Sequence, residues 1–451
     1  MGNNKLKKLT IKNSQHTDFS FRKYAWQQFK NNKPAYISLY ILLFLLALAL
    51  LAPLLANERP LFCKISGETF FPAFTFKKSY EIQTPEGKVQ KLQIDIADWK
   101  QIEYDQVIWA PVPYSPSKTD LLNANYKGPH EEQKFKNNKG QIVEMPAKFR
   151  HKLGTTSIGC DVLSGIIHGA RISLSIGFIS MGIAALIGLF LGSIAGYFGD
   201  ENLTTSRGRF WTVILGIVVA WFYAFGTRSY TLTDAIEKGA FPMIFQVLVS
   251  ITIFSFVIFL FSFLGKFVGK IPWLRKKVHI PVDAIVSRSI EIIHSIPVFI
   301  LIISLAAIAK PSLINIMIII GLTSWTGIAR FTRAEFLRIR NLEYIQSARS
   351  LGYSESKTIL KHALPNGLAP ALVTIAFGIA SAILVESSLS FLGIGVPPGT
   401  VTWGSLVNEG RANFNAWWLV VFPGLAIFIT VTVYNLIGEG MRDALDPKLK
   451  K

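Results

Sequence analysis

The chain has 451 residues, of which 50% are hydrophobic and only 17% charged. That balance excludes an ordinary soluble domain and points to a polytopic membrane protein. The net charge of +19 would suit a nucleic-acid binder. The basic residues instead cluster at alternate ends of apolar runs, so no nucleic-acid partner is expected and membrane lipid is.

Residues 1–34 form a basic tail with eight Lys or Arg and one acid. Within it, 19–30 sets aromatics among cations and predicts an interfacial amphipathic helix. A helix needs about 20 apolar residues to cross the hydrocarbon core. Charge-free runs at 35–56, 172–199, 210–227, 239–265, 292–309, 311–329, 363–385 and 412–438 predict eight spans. The first run starts late and is long enough to span, so an uncleaved anchor is expected rather than a cleaved signal peptide.

Residues 57–165 make a long connection with nearly balanced charge, fifteen Lys or Arg against thirteen Asp or Glu. Strand-like pieces such as Lys91–Ile96 and turn signals such as 110–116 predict a small β-containing domain. Cys63 and Cys160 both fall in this region. They can pair in an oxidising compartment or remain thiols, since two cysteines do not define a framework.

Span two, in 166–199, carries Gly188, Gly192 and Gly196 at four-residue intervals, a face that lets helix backbones approach closely in lipid. Residues 200–284 hold two further spans and a basic loop with Lys266, Lys270, Arg275, Lys276 and Lys277. This pair can be removed without changing the orientation of the rest, as expected of an inserted hairpin. Pro297, Pro370 and Pro423 fall inside predicted spans and are candidate kinks. Glu291 and His294 share a helical face near a span end, where a local contact is expected and no metal spacing exists.

The loop 329–366, within the last segment 285–451, is polar yet helically patterned. Helix formers fill 343–351, Gly352 breaks the run, Ser354 caps a second helix over 355–363 and Pro365 ends it. Ala348 and Gly352 are small and four apart, which predicts a face for close insertion into a cleft, with Tyr344 and Leu351 as apolar anchors. The basic residues of this loop and of the N-terminal tail place both termini and 329–362 in the cytoplasm. Glu386 and Ser390, at the end of the seventh run, are candidate pathway groups. A structural polar contact is the preferred role for Glu386.

The loop resembles the coupling loop of ABC importer permeases, whose pattern is Glu-Ala-Ala, three residues, Gly, nine residues, Ile-x-Leu-Pro. Ala348, Gly352, Leu364 and Pro365 match in register, whereas Gln346, Ser347 and His362 depart. Residues 153–164 and 169–174 resemble the entry to span two of dipeptide and oligopeptide permeases, with Cys160 where that family has Arg. Residues 386–398 with Trp403-Gly404, and 438–447, resemble its fifth core span and C-terminal signature. Arg59-Pro-Leu-Phe and Trp109-Ala-Pro resemble the second permease of oligopeptide and microcin C importers.

The resemblance implies an all-α fold of six core spans plus the inserted hairpin. It implies a second homologous permease subunit, two ABC ATPase subunits and an extracytoplasmic substrate-binding protein as partners. No cofactor is expected in this chain, because ATP and Mg would be bound by the ATPases, and the chain has no Gly-x-x-x-x-Gly-Lys-Ser/Thr loop. The expected function is a peptide importer permease in the bacterial inner membrane, not an enzyme. The alternatives are an ion-coupled secondary transporter, which needs intramembrane acids or broken helices, and a membrane-anchored binding protein.

Overall fold

The computed structural model describes residues 21–75, 79–83, 89–94, 96–137 and 140–445. The predicted interfacial helix is α1 (Phe21–Asn31); residues 19 and 20 lie outside the described residues. The Asn32 side-chain oxygen accepts the Ala35 N–H at 3.2 Å and starts α2 (Lys33–Leu55). α1 packs on the last described helix, where Phe29 of α1 and Ala35 of α2 share a cluster with Ile437 and Ala444.

The long connection folds into short ladders over its own small core. β1 (Phe62–Ile65) pairs antiparallel with β2 (Glu68–Phe70), and later with β5 (Gln106–Ile108). Between these lies a separate ladder of β3 (Ser79–Gln83) and β4 (Val89–Gln93), and after them one of β6 (Lys134–Lys136) and β7 (Ile142–Glu144). The strand read as 91–96 is therefore β4, ending at Gln93. Cys63, Ile65, Ile94, Trp99 and Trp109 form the core. Cys63 and Cys160 are both free and buried, and burial pushes the Cys63 thiol up to about 11. Two hydrogen bonds stitch the domain to α2: Val112 N–H to Leu55 O at 2.9 Å and Asn57 N–H to Val112 O at 3.0 Å.

The Asp161 carboxylate caps α3 (Val162–Phe198) by accepting the Ser164 N–H at 2.6 Å. At 37 residues this helix is about 55 Å long, more than a bilayer core is thick. A helical hairpin follows, in the stretch expected to be an insertion. Its base is a ladder of β8 (Thr204–Ser206) and β9 (Lys277–His279), with Thr205 opposite Val278. Between them run α4 (Arg207–Trp221), α5 (Ser229–Lys238) and α6 (Ala240–Val268), with α4 packed along α6 and α5 against α6. Reporter fusions at Ser229 and Lys277, at opposite ends of this hairpin, are expected to report outside and inside respectively. The same side for both would rule the hairpin out.

Among the described residues, seven helices are long and apolar enough to cross a membrane, and one bent pair brings the number to eight. That pair covers the span expected at 292–309 and bends at Pro297, the candidate kink. α7 (Val282–Ser295) and α8 (Val298–Ile308) meet at 80°. The break falls at Ile296, which takes extended backbone at φ −101° and ψ 130°. The ring of Pro297 excludes the helical conformation for the residue before it. By contrast, Pro370 and Pro423 lie inside continuous helices.

α9 (Leu313–Ile339) descends beside α3. α10 (Glu343–Ser350) and α11 (Glu355–Thr358) follow, then α12 (Leu364–Phe391), α13 (Trp403–Ala412) and α14 (Trp418–Leu445). The main core lies where α3, α9 and α12 meet, with Ala184, Ile320, Ile328, Ala371 and Ile383 buried. The glycine stripe sets the α3–α9 distance. A Cβ at Gly188 would lie 2.8 Å from Trp325 O, and one at Gly192 2.6 Å from Ala329 O. Gly196 comes as close to the Arg333 carbonyl.

Candidate functional site

The loop between α9 and α12 is a folded elbow rather than a free handle. α10 is short, and its inward residues are Ile345 and Ala348, both buried. Ile345 packs with Tyr197 from α3, Phe336 and Ile339 from α9, and Ala363. Three spans thus grip one helix through a single apolar cluster. Burying a side chain the size of Ile345 contributes about 2 kcal/mol.

The turn after α10 has a specific chain geometry. Tyr353 N–H bonds Ala348 O at 3.2 Å and Gly352 N–H bonds Arg349 O at 2.9 Å. This is the paired bonding of a helix stop with a left-handed residue, and Gly352 has φ +79°. Ser354 Oγ then accepts the Lys357 N–H at 3.4 Å and opens α11, as the sequence predicts.

Two expectations for this loop are corrected. Ala348 and Gly352 do not share an outward face. Ala348 turns into its own chain, and Gly352 lies beyond the helix in the turn. The outward residues are Leu351, 78% exposed, and Tyr344, 39% exposed, with Gln346 exposed and donating to Asn341 O at 3.3 Å. Nor does Pro365 end the second helix. α11 runs through a wider π turn, Ile359–Ala363, straight into α12. Leu364 N–H bonds back to Ile359 O across that turn, and Pro365 follows directly after it, where the widened turn takes up the break that its ring and missing N–H make in the helix ladder. Leu364 packs on the Tyr197 cluster, while Pro365 is exposed.

A polar latch reinforces the cluster. The Tyr197 hydroxyl donates to Glu355 Oε2 at 2.5 Å and accepts from Arg349 Nε at 3.2 Å. The Arg349 guanidinium also lies 4.8 Å over the Tyr197 ring and 3.4 Å from the Glu355 carboxylate. One tyrosine at the end of α3 therefore holds α10 and α11 together. A second tie joins α7 to α9: Asp283 takes a bidentate pair from Arg333. No periodicity signals either tie, because the partners are fifty or more positions apart or sit in different helices.

Glu386 and Ser390 are both buried inside the chain. Ser390 Oγ donates to Glu386 Oε1 at 2.6 Å, and Ser173 Oγ from α3 donates to Oε2 at 3.4 Å. They join α12 to α3 and do not line an open surface, which corrects their assignment as pathway groups and agrees with the polar contact preferred for Glu386. Arg288 pairs with Glu291 at 2.5 Å, a contact within α7. An open concavity among the described spans lies elsewhere. A groove of about 600 Å³ is lined by Phe331, Pro370, Val373, Thr374, Phe377 and Arg442. Sequence reasoning missed it, although Pro370, Val373, Thr374 and Phe377 fall at helical spacing on one face.

Residues 264–451 match the model of the family described as binding-protein-dependent transport system inner membrane component. Residues 20–69 match the N-terminal TM domain of oligopeptide transport permease C. A putative peptide transport system permease protein of Brucella suis biovar 1 (strain 1330) is 38% identical over 256 residues, which cover 56% of this chain and 80% of that protein. The inner membrane ABC transporter permease protein YejE of Escherichia coli (strain K12) is 27% identical over 427 residues, 94% of this chain and 96% of that one. The dipeptide transport system permease protein DppC of Bacillus subtilis (strain 168) is 27% identical over 309 residues, 68% of this chain and 72% of that one. These matches run through both ends of the chain, and the chain belongs to the family of inner membrane components of binding-protein-dependent transport systems, the permeases of ABC importers.

Proposed function

We propose that this permease imports peptides or similar solutes, and that its elbow at 343–366 receives the push of ATP-hydrolysing partners. The observation that carries this is the continuity of the elbow: α11 runs unbroken into α12, and Ile345 is clamped between α3 and α9. A force on α10 cannot be absorbed by a slack loop. It reaches three spans at once. The relatives described as peptide and dipeptide permeases support the solute class.

The full assembly has a second, homologous permease subunit, two ATPase subunits on the cytoplasmic side and a substrate-binding protein on the other. ATP and Mg are held by the ATPases. Both termini and the elbow are placed in the cytoplasm, a reading that the basic residues of the tail and of 329–362 support. Closure of the ATPases drives α10 toward the membrane, and the spans rock between inward-open and outward-open states. The 80° break between α7 and α8 supplies a joint at which one part can move against another. In this reading the groove lined by Phe331, Phe377 and Arg442 is the surface assigned to the second permease and the solute path.

The test is isolation of the tagged full chain in mild detergent, with mass spectrometry of its partners, followed by uptake in vesicles. An ATPase and a second permease are expected, with uptake that needs ATP. Recovery of this chain alone, with uptake driven by an ion gradient and indifferent to ATP, would transfer the assignment to a secondary transporter.

A further inference from the structure

The domain at 57–161 holds a cavity of about 540 Å³ whose described lining residues include four lysines and three carboxylates. Its floor is built by a tight 3-10 turn, Trp99–Gln101. Trp99 is buried in the domain core and donates Nε1–H to Ile94 O at 3.2 Å. That anchor sends Lys100 the other way, and its Nζ lies 3.1 Å over the Tyr114 ring and 5.4 Å from the Phe149 ring. Lys134 and Lys136 also line the cavity, alternate residues on one face of β6.

The lining carboxylates are engaged within the chain. Glu58 pairs with Lys118 at 3.3 Å. Asp120 meets His151 Nε2 at 3.3 Å and accepts Asn123 Nδ2 at 2.8 Å. Asp98 caps the turn by accepting the Lys100 N–H at 3.3 Å. Among the described residues, Lys100, Lys134 and Lys136 make no ion pair. Burial lowers the Lys100 amine to about 7, even against the pull of Asp120, Asp161 and Asp98. A cation over aromatic rings in a confined cavity is short of an anionic acceptor. A carboxylate would restore its charge through charge-assisted hydrogen bonds.

We propose that this cavity binds the carboxylate of a small solute, with Lys100 at the floor and Lys134 and Lys136 at the mouth. The solute is a peptide carrying a free C-terminus, and that identity rests on the peptide-importer assignment; the carboxylate chemistry rests on the cavity alone. The aromatic flank of Tyr114 and Phe135 provides apolar lining for the rest of the molecule. The site is wired to the first transmembrane turn beneath it. Ser164 Oγ of α3 donates to Tyr114 O at 2.8 Å, and Asp161, the cap of α3, meets His151 Nδ1 at 2.9 Å.

The experiment uses the full chain in lipid nanodiscs, titrated calorimetrically with trialanine, trialanine amide and acetate. Trialanine is expected to bind saturably, and the amide at least tenfold more weakly. Lys100→Met should weaken trialanine at least tenfold and abolish the preference for the acid. Lys134→Gln with Lys136→Gln, at exposed positions that carry no core packing, should weaken it several-fold, which separates binding from any folding role of Lys100. Equal binding of acid and amide, or unchanged binding in both variants, overturns the proposal. ATP-driven trialanine uptake by the assembled importer is read separately. Uptake without any binding of trialanine or acetate to this chain defeats the cavity alone. Lys100-dependent acetate binding with neither trialanine binding nor uptake keeps the carboxylate site and defeats the peptide assignment.

Discussion

Leu351→Asp is expected to strip the ATPase subunits from the purified chain without unfolding the chain. Leu351 is 78% exposed at the end of α10, beside the turn at Gly352. Substitution at such a position changes fold stability by about 0.5 kcal/mol or less. An apolar anchor at the centre of an interface is worth about 2 kcal/mol or more, roughly a thirtyfold loss of affinity. Tyr344→Ala should act in the same direction and more weakly, since Tyr344 is less exposed. Ile345→Asp is the contrasting variant. It places a charge in the cluster of Tyr197, Phe336 and Ile339, so it should cost both the partner and the protein's thermal stability. Gly352 is a poor probe of docking, because any side chain at φ +79° strains the turn by about 1–2 kcal/mol before a partner arrives. Co-purification and uptake decide the matter: wild-type recovery of the ATPase with Leu351→Asp and Tyr344→Ala combined would remove the elbow as the docking site.

Gly192→Leu is expected to abolish folded, monodisperse protein, whereas Gly182→Leu on the same helix should be tolerated. A Cβ at Gly192 would lie 2.6 Å from the Ala329 carbonyl oxygen and 2.8 Å from Thr332 Cβ, while one at Gly182 meets nothing within 4 Å. The obstruction at Gly192 is backbone, which has no rotamer to change. The helices must separate, and the close contacts at Gly188 and Gly196 are lost with it. That places the cost at the upper end of overpacking, about 3 kcal/mol. Detergent-extracted yield and thermal unfolding of the two variants provide the measurement. Similar behaviour of both would mean that the glycine stripe does not set the α3–α9 distance.

The stripe, the helical hairpin and the cap at Ser354 were legible because each is written in local spacing. Three small residues at i, i+4 and i+8 mark one side of a helix whatever it packs on. A serine before a helical run offers its oxygen to the N–H three residues on. The proline rule was legible at Ile296–Pro297 and misleading at Pro365. In the first case, steric exclusion acts on the preceding residue and does not depend on context. In the second, a π turn and the packing of Leu364 and Ala363 on the Tyr197 cluster let the helix continue. Local chemistry gave the same signal at both prolines, and the neighbours decided the outcome.

Length, apolarity and charge placement belong to each segment alone, so the sequence by itself determined the spans, the hairpin and the polar elbow between two of them. Which side of α10 turns inward depends on Tyr197 and Phe336, far away in the chain. Whether Glu386 meets a pathway or Ser173 of α3 depends on how α12 rotates against α3. The unbalanced lysines at 100, 134 and 136 become a cavity only when three distant segments fold over one another. Those features were decided by tertiary structure, because burial and pairing are properties of two surfaces brought together, and a linear pattern specifies one surface at a time.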